Sequence, residues 1–416
     1  MHAVTTPTSN GPPSGQSRSM LFFAPAIAAL VLAAGLIPIG CTPNTTKGST
    51  ADTAQSPKGD PKTDKPASIL APSGVAINHE EWSKIGYRLD WVGYPFPATR
   101  KRASIIAMTA SNDALLIQER SSTVTLMETS NGANRWTLDV ASPLTKFVGL
   151  DRDPTDPAKV LVVSESEIFT LAAATGNLIG RDDLDKVVNS SPVISGDLAI
   201  FGTADGQIYA HRRSLGFGSW GFSFDATVEA KPVRIGENAF GFVNQRGDVA
   251  FLSSQGSLLG RGKIFAGLAT NPVADDERMY IAGLDQSVWA FTPTGQLAWR
   301  YRTPTPLDVQ PAVHDGVLYC EIPASGLTAF DAATGQIKWL AKGTSGTVIG
   351  IRKGLLLLWN AQPRGSSTLI TIDPRDGSVV DQLSIPDVQR LITDRFVDGA
   401  IYIASNKGAV ARLVPR

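Results

Sequence analysis

A glycine set in a tight turn recurs at Gly132, Gly176, Gly216, Gly256, Gly295, Gly335 and Gly377, at intervals of 39 to 44 residues. The surrounding residues repeat with it: LMETSNGANRW (126–136), FTPTGQLAW (291–299) and FDAATGQIKW (330–339) are each a strand end, a turn and a second strand carrying tryptophan. A proline opens a short apolar strand in the same phase at Pro192, Pro232, Pro272 and Pro311. Pro143 reads as an earlier member displaced by the insertion DRDPTDPAK (151–159). An alternating apolar run follows each proline, as in DLAIFGT (197–203) and ERMYIAG (277–283), and then another, as in GQIYAHR (206–212) and QSVWAFT (286–292). Each unit therefore reads as four short strands with period-2 apolarity, joined by Gly, Asp and Asn turns. The β-branched and aromatic residues suit strands, and the turn residues accept hairpin geometry.

One such sheet cannot bury both its faces alone. Like sheets packed radially around an axis can, and they leave only short edges exposed. The expected fold is all-β: a β-propeller of four-stranded antiparallel blades. The 329 residues from Arg88 to Arg416, divided by about 41, give eight blades. Repeats 1, 2 and 7 depart from the pattern, which leaves seven blades open. The eighth repeat runs out at Arg416, and GYRLDWVGY (86–94) supplies the missing outer strand, so residues 86–94 are expected to complete the last blade.

The N-terminus has a different character. Arg18 precedes an apolar run, LFFAPAIAALVLAAGLIPI (21–39), that ends at Gly40-Cys41. A basic residue, an apolar core and a small residue describe an export signal. A cysteine after the small residue resembles a bacterial lipoprotein signal, with Cys41 as the lipidation site; Pro38 stands where leucine is usual. An uncleaved anchor helix is the alternative, because about 19 apolar residues just span a bilayer. Either way the chain is expected to be exported and tethered to a membrane, periplasmic or associated with the outer membrane. Residues 42–70 are Thr, Pro, Lys, Asp and Ser with almost nothing apolar, too little to offset their ordering entropy. The expected domains are a signal over 1–41, a disordered linker over 42–74 and the propeller over 75–416, with a short helix at His79–Lys84.

Charge narrows the function classes. The chain carries 38 basic and 38 acidic residues, so no positive field points to nucleic acid. Two cysteines, Cys41 and Cys320, make no disulfide framework.

The order Pro-Val, Asp-Gly strand, Gly-x-x-Tyr-Ala, Ala-Thr-Gly-x-x-x-Trp resembles the quinoprotein-type, PQQ-like propeller repeat. SPVISGDLAIFGTADGQIYA (191–210) and DGVLYCEIPASGLTAFDAATGQIKW (315–339) carry it best, and the resemblance extends over nearly all of 86–416. It implies that Trp91, Trp136, Trp220, Trp299 and Trp339 dock each blade on its neighbour through the turn glycines. Gly180, Gly260 and Asp381 take that place in other blades. The family's dehydrogenases carry a vicinal cysteine pair against the quinone and a carboxylate set for Ca²⁺. No two cysteines are adjacent here, and Cys320 reads as a buried thiol in an apolar strand. The expectation is the repeat without cofactor or metal, and no enzyme.

The remaining candidates read as structure. Asp151-Arg-Asp-Pro-Thr-Asp156 lacks the order of a calcium loop and reads as a solvated insertion; Asp182, Asp183 and Asp185 read as a surface loop. Arg100-Lys101-Arg102 and His211-Arg212-Arg213 read as solvated basic clusters. An exported, tethered PQQ-like propeller resembles the propeller lipoproteins of the outer-membrane β-barrel assembly machinery. That resemblance implies a non-enzymatic scaffold with a monomeric body that binds envelope proteins through propeller loops. Two alternatives stay open: a diverged PQQ-dependent dehydrogenase, and a sugar- or ligand-binding module displaying aromatics such as Trp82, Trp289 or Trp359.

Overall fold

The structure, a computed structural model, describes residues 74–96, 104–362 and 365–416. The expected signal, nearly all of the linker, Cys41 and the cluster Arg100-Lys101-Arg102 lie outside the described residues. The described residues form eight four-stranded antiparallel sheets. In chain order these are blade 1 (residues 105–139), blade 2 (147–183), blade 3 (193–223), blade 4 (233–263), blade 5 (273–302), blade 6 (312–342), blade 7 (347–386) and blade 8 (388–415). Each is a meander running from an inner to an outer strand, and the inner strands of successive blades pack side by side, blade 8 against blade 1. The eight-bladed propeller read from the period is the architecture of the molecule.

The residue pattern accounts for the layering. Second and third strands are covered on both faces, as in Met279–Gly283 and Ser287–Phe291, where every residue is buried. They therefore read as continuous apolar runs. Outer strands such as Leu258–Lys263 have one face in water and alternate. The core lies between blades. Tyr280, Val288 and Trp299 of blade 5 meet Leu318, Cys320 and Phe330 of blade 6. Cys320 is fully buried there, and burial pushes its thiol up to about 12.

Blade 8 takes its outer strand from the other end of the described chain. Tyr87–Gly93 pairs antiparallel with Val410–Pro415, placing Leu89 opposite Leu413 and Val92 opposite Ala411. The helix His79–Lys84 precedes this strand; its cap is Asn78, whose Oδ1 accepts from the Glu80 N–H at 3.1 Å. Trp82 on that helix packs edge-on to Tyr87, and both are buried. Tyr87 donates to the Gly399 carbonyl at 3.0 Å. Arg352 of blade 7 fastens the junction: Nε donates to the Gly86 carbonyl, Nη2 to the Arg416 carbonyl and Nη1 to Asp398.

Three charged segments sit differently from their sequence reading. Asp153 is buried and pairs with Arg213, linking the 151–159 insertion of blade 2 to blade 3. His211 is fully buried within blade 3 rather than solvated. Asp182 and Asp183 end the outer strand Leu178–Asp183 of blade 2, and Asp182 faces His211 across the seam. In each case the partner comes from a neighbouring blade, at a separation of 60 residues for Asp153 and Arg213, so local composition gave no sign of it.

Candidate functional site

The seams between blades hold the residues that the repeat singles out. A register shift in the outer-strand pairing falls just before each of the five tryptophans, as between Ala290 and Phe291, opposite Trp299 and Leu297. Such a bulge turns the side chain off the strand's alternation and toward the neighbouring blade. The Trp91 Nε1 donates to the Thr129 carbonyl at 2.8 Å, Trp136 to Ala173 at 3.0 Å, Trp220 to Ser254 at 3.0 Å, Trp299 to Ala332 at 2.9 Å and Trp339 to Pro374 at 2.7 Å. The same indoles lie over Gly132, Gly176, Gly256, Gly335 and Gly377, close enough that a Cβ on any of these glycines would sit 2.5–2.9 Å from the ring. All five glycines have φ between +72° and +81°.

Gly216 and Gly295 meet something else. A Cβ on Gly295 would lie 2.4 Å from the Arg261 backbone, and one on Gly260 would lie 2.1 Å from the Thr294 backbone, so blades 4 and 5 touch main chain to main chain. Gly216 faces Asp182. Beside its apolar cluster, the seam between blades 2 and 3 has a polar part: His211 Nδ1 is 3.2 Å from the Tyr209 hydroxyl, which is 3.4 Å from Asp185, and His211 Nε2 lies 3.8 Å from Asp182 without a hydrogen bond. Burial pushes the imidazole below its ordinary value of 6.5, against the pull of Asp182 and Asp185. A base whose folded value is depressed adds stability above its unfolded value, and that stability is lost as pH falls through the folded value. Acid titration below pH 6.5 is therefore expected to destabilise the protein by at most about 1.4 kcal/mol per pH unit from this group. A His211→Gln variant should lose that component in chemical denaturation between pH 7 and pH 4; an unchanged slope would remove His211 from this role.

The meander gives the ring two faces. The hairpins between third and fourth strands, with the turn glycines, lie on one. The blade-to-blade connections and the hairpins between second and third strands lie on the other. This loop face carries exposed apolar side chains, with Leu144 95% and Phe265 70% exposed and Val187 and Leu284 also exposed. Phe265 is held in place. Its N–H donates to Asp285 at 2.9 Å, and its ring packs 5.6 Å from the buried Trp289. Trp289 Nε1 also donates to Asp285, at 3.0 Å. The Arg300 guanidinium lies 4.2 Å from the Trp289 ring centre and 4.9 Å from that of Phe265, with Nη2 donating to Ser287 at 2.8 Å. Cation–π stacking and these hydrogen bonds fix an exposed aromatic and a guanidinium in one orientation.

The central channel is lined by Pro232, Pro272, Pro311 and their neighbouring valines, with Lys231 and Arg234. A quinone with its calcium does not fit these residues. Among the described residues no three His, Cys, Asp or Glu side chains gather to hold a metal, and Cys320 is sealed between blades. Trp82 and Trp289 are buried and offer a sugar no stacking face, and Trp359 is buried except where it borders a pocket on the loop face. Sequence reading passed over Phe265, Arg300, Glu321 and Asp308, because each sits at an ordinary repeat position and gains meaning only from blades folded beside it.

Fold and sites together define an eight-bladed PQQ-like propeller whose ring presents a face of loops. The chain belongs to the family described as outer membrane protein assembly factor BamB, whose model matches residues 80–265 and again 245–414. Among solved structures it is similar to the computationally designed Ika8 protein, at 14% identity and a TM-score of 0.63 over 78% of this chain and 98% of that one. It is also similar to BamB from Moraxella catarrhalis, at 16% identity and a TM-score of 0.58 over 75% of this chain and 97% of that one. At such identities the likeness concerns the fold. No curated protein matches the chain.

Proposed function

We propose that this protein is a non-enzymatic scaffold of the cell envelope that docks other proteins on its loop face, in the assembly of outer-membrane proteins. In this reading residues 1–41 export the chain, Cys41 carries a lipid, and residues 42–74 are the tether that holds a monomeric propeller at the membrane. Membership of the BamB family supports the setting. The observation that carries the docking role is the preorganised pair of Phe265 and Arg300. A rigid, exposed aromatic beside an arginine is the composition of an interface anchor. It loses little side-chain entropy when a partner arrives.

A photo-crosslinking residue at position 265 is expected to capture an envelope protein in cells, while the same residue at position 215, on the turn face, captures none. With that partner purified, Phe265→Ala is expected to weaken binding by about 2 kcal/mol, roughly thirtyfold. Equal labelling from both positions, or none from 265, would overturn the reading.

A further inference from the structure

The loop face also contains a groove of about 670 Å³ where blades 5, 6 and 7 meet. Its walls are apolar: Leu284, Pro306, Pro323 and Trp359 line it. Its charged groups share one sign. Asp308 and Glu321 both line the groove, and no Lys, Arg or His does so among the described residues. Glu321 is only 8% exposed. Its Oε1 accepts from the Ser345 hydroxyl at 2.8 Å and its Oε2 from the Gly346 N–H at 2.5 Å. These bonds hold the carboxylate in place, but no ion pair among the described residues neutralises it. By contrast, the buried carboxylates of Asp153 and Asp373 pair with Arg213 and Arg375.

A carboxylate taken out of water is fully stabilised only by a counter-charge, and low-dielectric walls concentrate its field in the groove. We propose that this groove binds the side chain of a lysine or arginine flanked by apolar residues in a partner protein, the cation meeting Glu321 and Asp308 while the flanks lie on the apolar walls. The inference rests on the loop face being a docking face, and it names the chemistry of one contact on it.

The probe is a dye-labelled apolar heptapeptide with one central lysine, together with its arginine, glutamate and norleucine analogues, titrated against the full chain by fluorescence anisotropy. The lysine and arginine peptides are expected to saturate one site, with the norleucine and glutamate peptides at least about tenfold weaker. Asp308→Asn, at an exposed position that leaves the fold alone, and Glu321→Gln are each expected to weaken lysine-peptide binding several-fold. Together they should abolish the preference over norleucine. Norleucine binding as well as lysine, a preference that survives both substitutions, or no saturation would overturn the proposal. Crosslinking at position 265 does not depend on the groove, so peptide failure with crosslinking intact removes this inference alone.

Discussion

Gly335→Ala is expected to cost about 3–5 kcal/mol, whereas Gly316→Ala, with almost the same backbone geometry, should cost about 1 kcal/mol. Both glycines have positive φ, +73° and +70°, a region where a side chain is strained wherever it stands. Around Gly316 an added Cβ meets nothing within 4 Å, while at Gly335 it would lie 2.5 Å from the Trp299 ring. The difference between the two variants is therefore the steric cost of lifting the indole, together with its hydrogen bond to the Ala332 carbonyl. Urea unfolding of both variants, and of each in a Trp299→Ala background, isolates that term as a coupling energy. If Gly335→Ala costs the same with and without Trp299, the proposal that these glycines and tryptophans dock the blades is wrong.

The second large effect concerns ring closure. A chain lacking residues 74–94 loses the burial of Trp82, Tyr87 and Trp91, worth roughly 5–9 kcal/mol at the usual value for a large side chain. It also leaves the Val410–Pro415 strand as an unpaired edge. Such edges recruit other strands, so the shortened chain is expected to elute as oligomers and to melt well below the full one. A synthetic peptide of residues 74–94 should restore a monomer. A truncated chain that stays monomeric and equally stable would mean that this strand decorates blade 8 rather than closing the ring.

Much of the architecture was legible because each blade solves the same local problem. The turn glycines announce themselves because Gly132 or Gly377 must adopt a backbone conformation that other residues resist. The doubly covered middle strands announce themselves as unbroken apolar runs. Even the borrowed strand showed, since Leu89 and Trp91 keep the alternation of an outer strand at the wrong end of the chain. The candidate sites were not legible. Asp308, Glu321 and Trp359 come from three different parts of the repeat array and share no spacing that marks a groove. His211 looked like part of a basic surface run because its burial depends on blade 2, whose outer strand brings Asp182 within 3.8 Å of its ring.

The seams between blades are not alike, and this bears on how the ring moves. Five are latched by an indole, and blades 4 and 5 meet main chain to main chain. The two seams without either device, between blades 2 and 3 and between blades 7 and 8, combine an apolar cluster with a charge pair: Asp153 with Arg213, and Asp398 with Arg352. They divide the wheel into a three-blade arc and a five-blade arc. Acid protonates the carboxylates of charge pairs and leaves indole contacts untouched, so as pH falls the ring is expected to breathe first along these two lines. Phe265 and the acidic groove both ride on the five-blade arc, so such breathing would carry them together and keep their spacing unchanged.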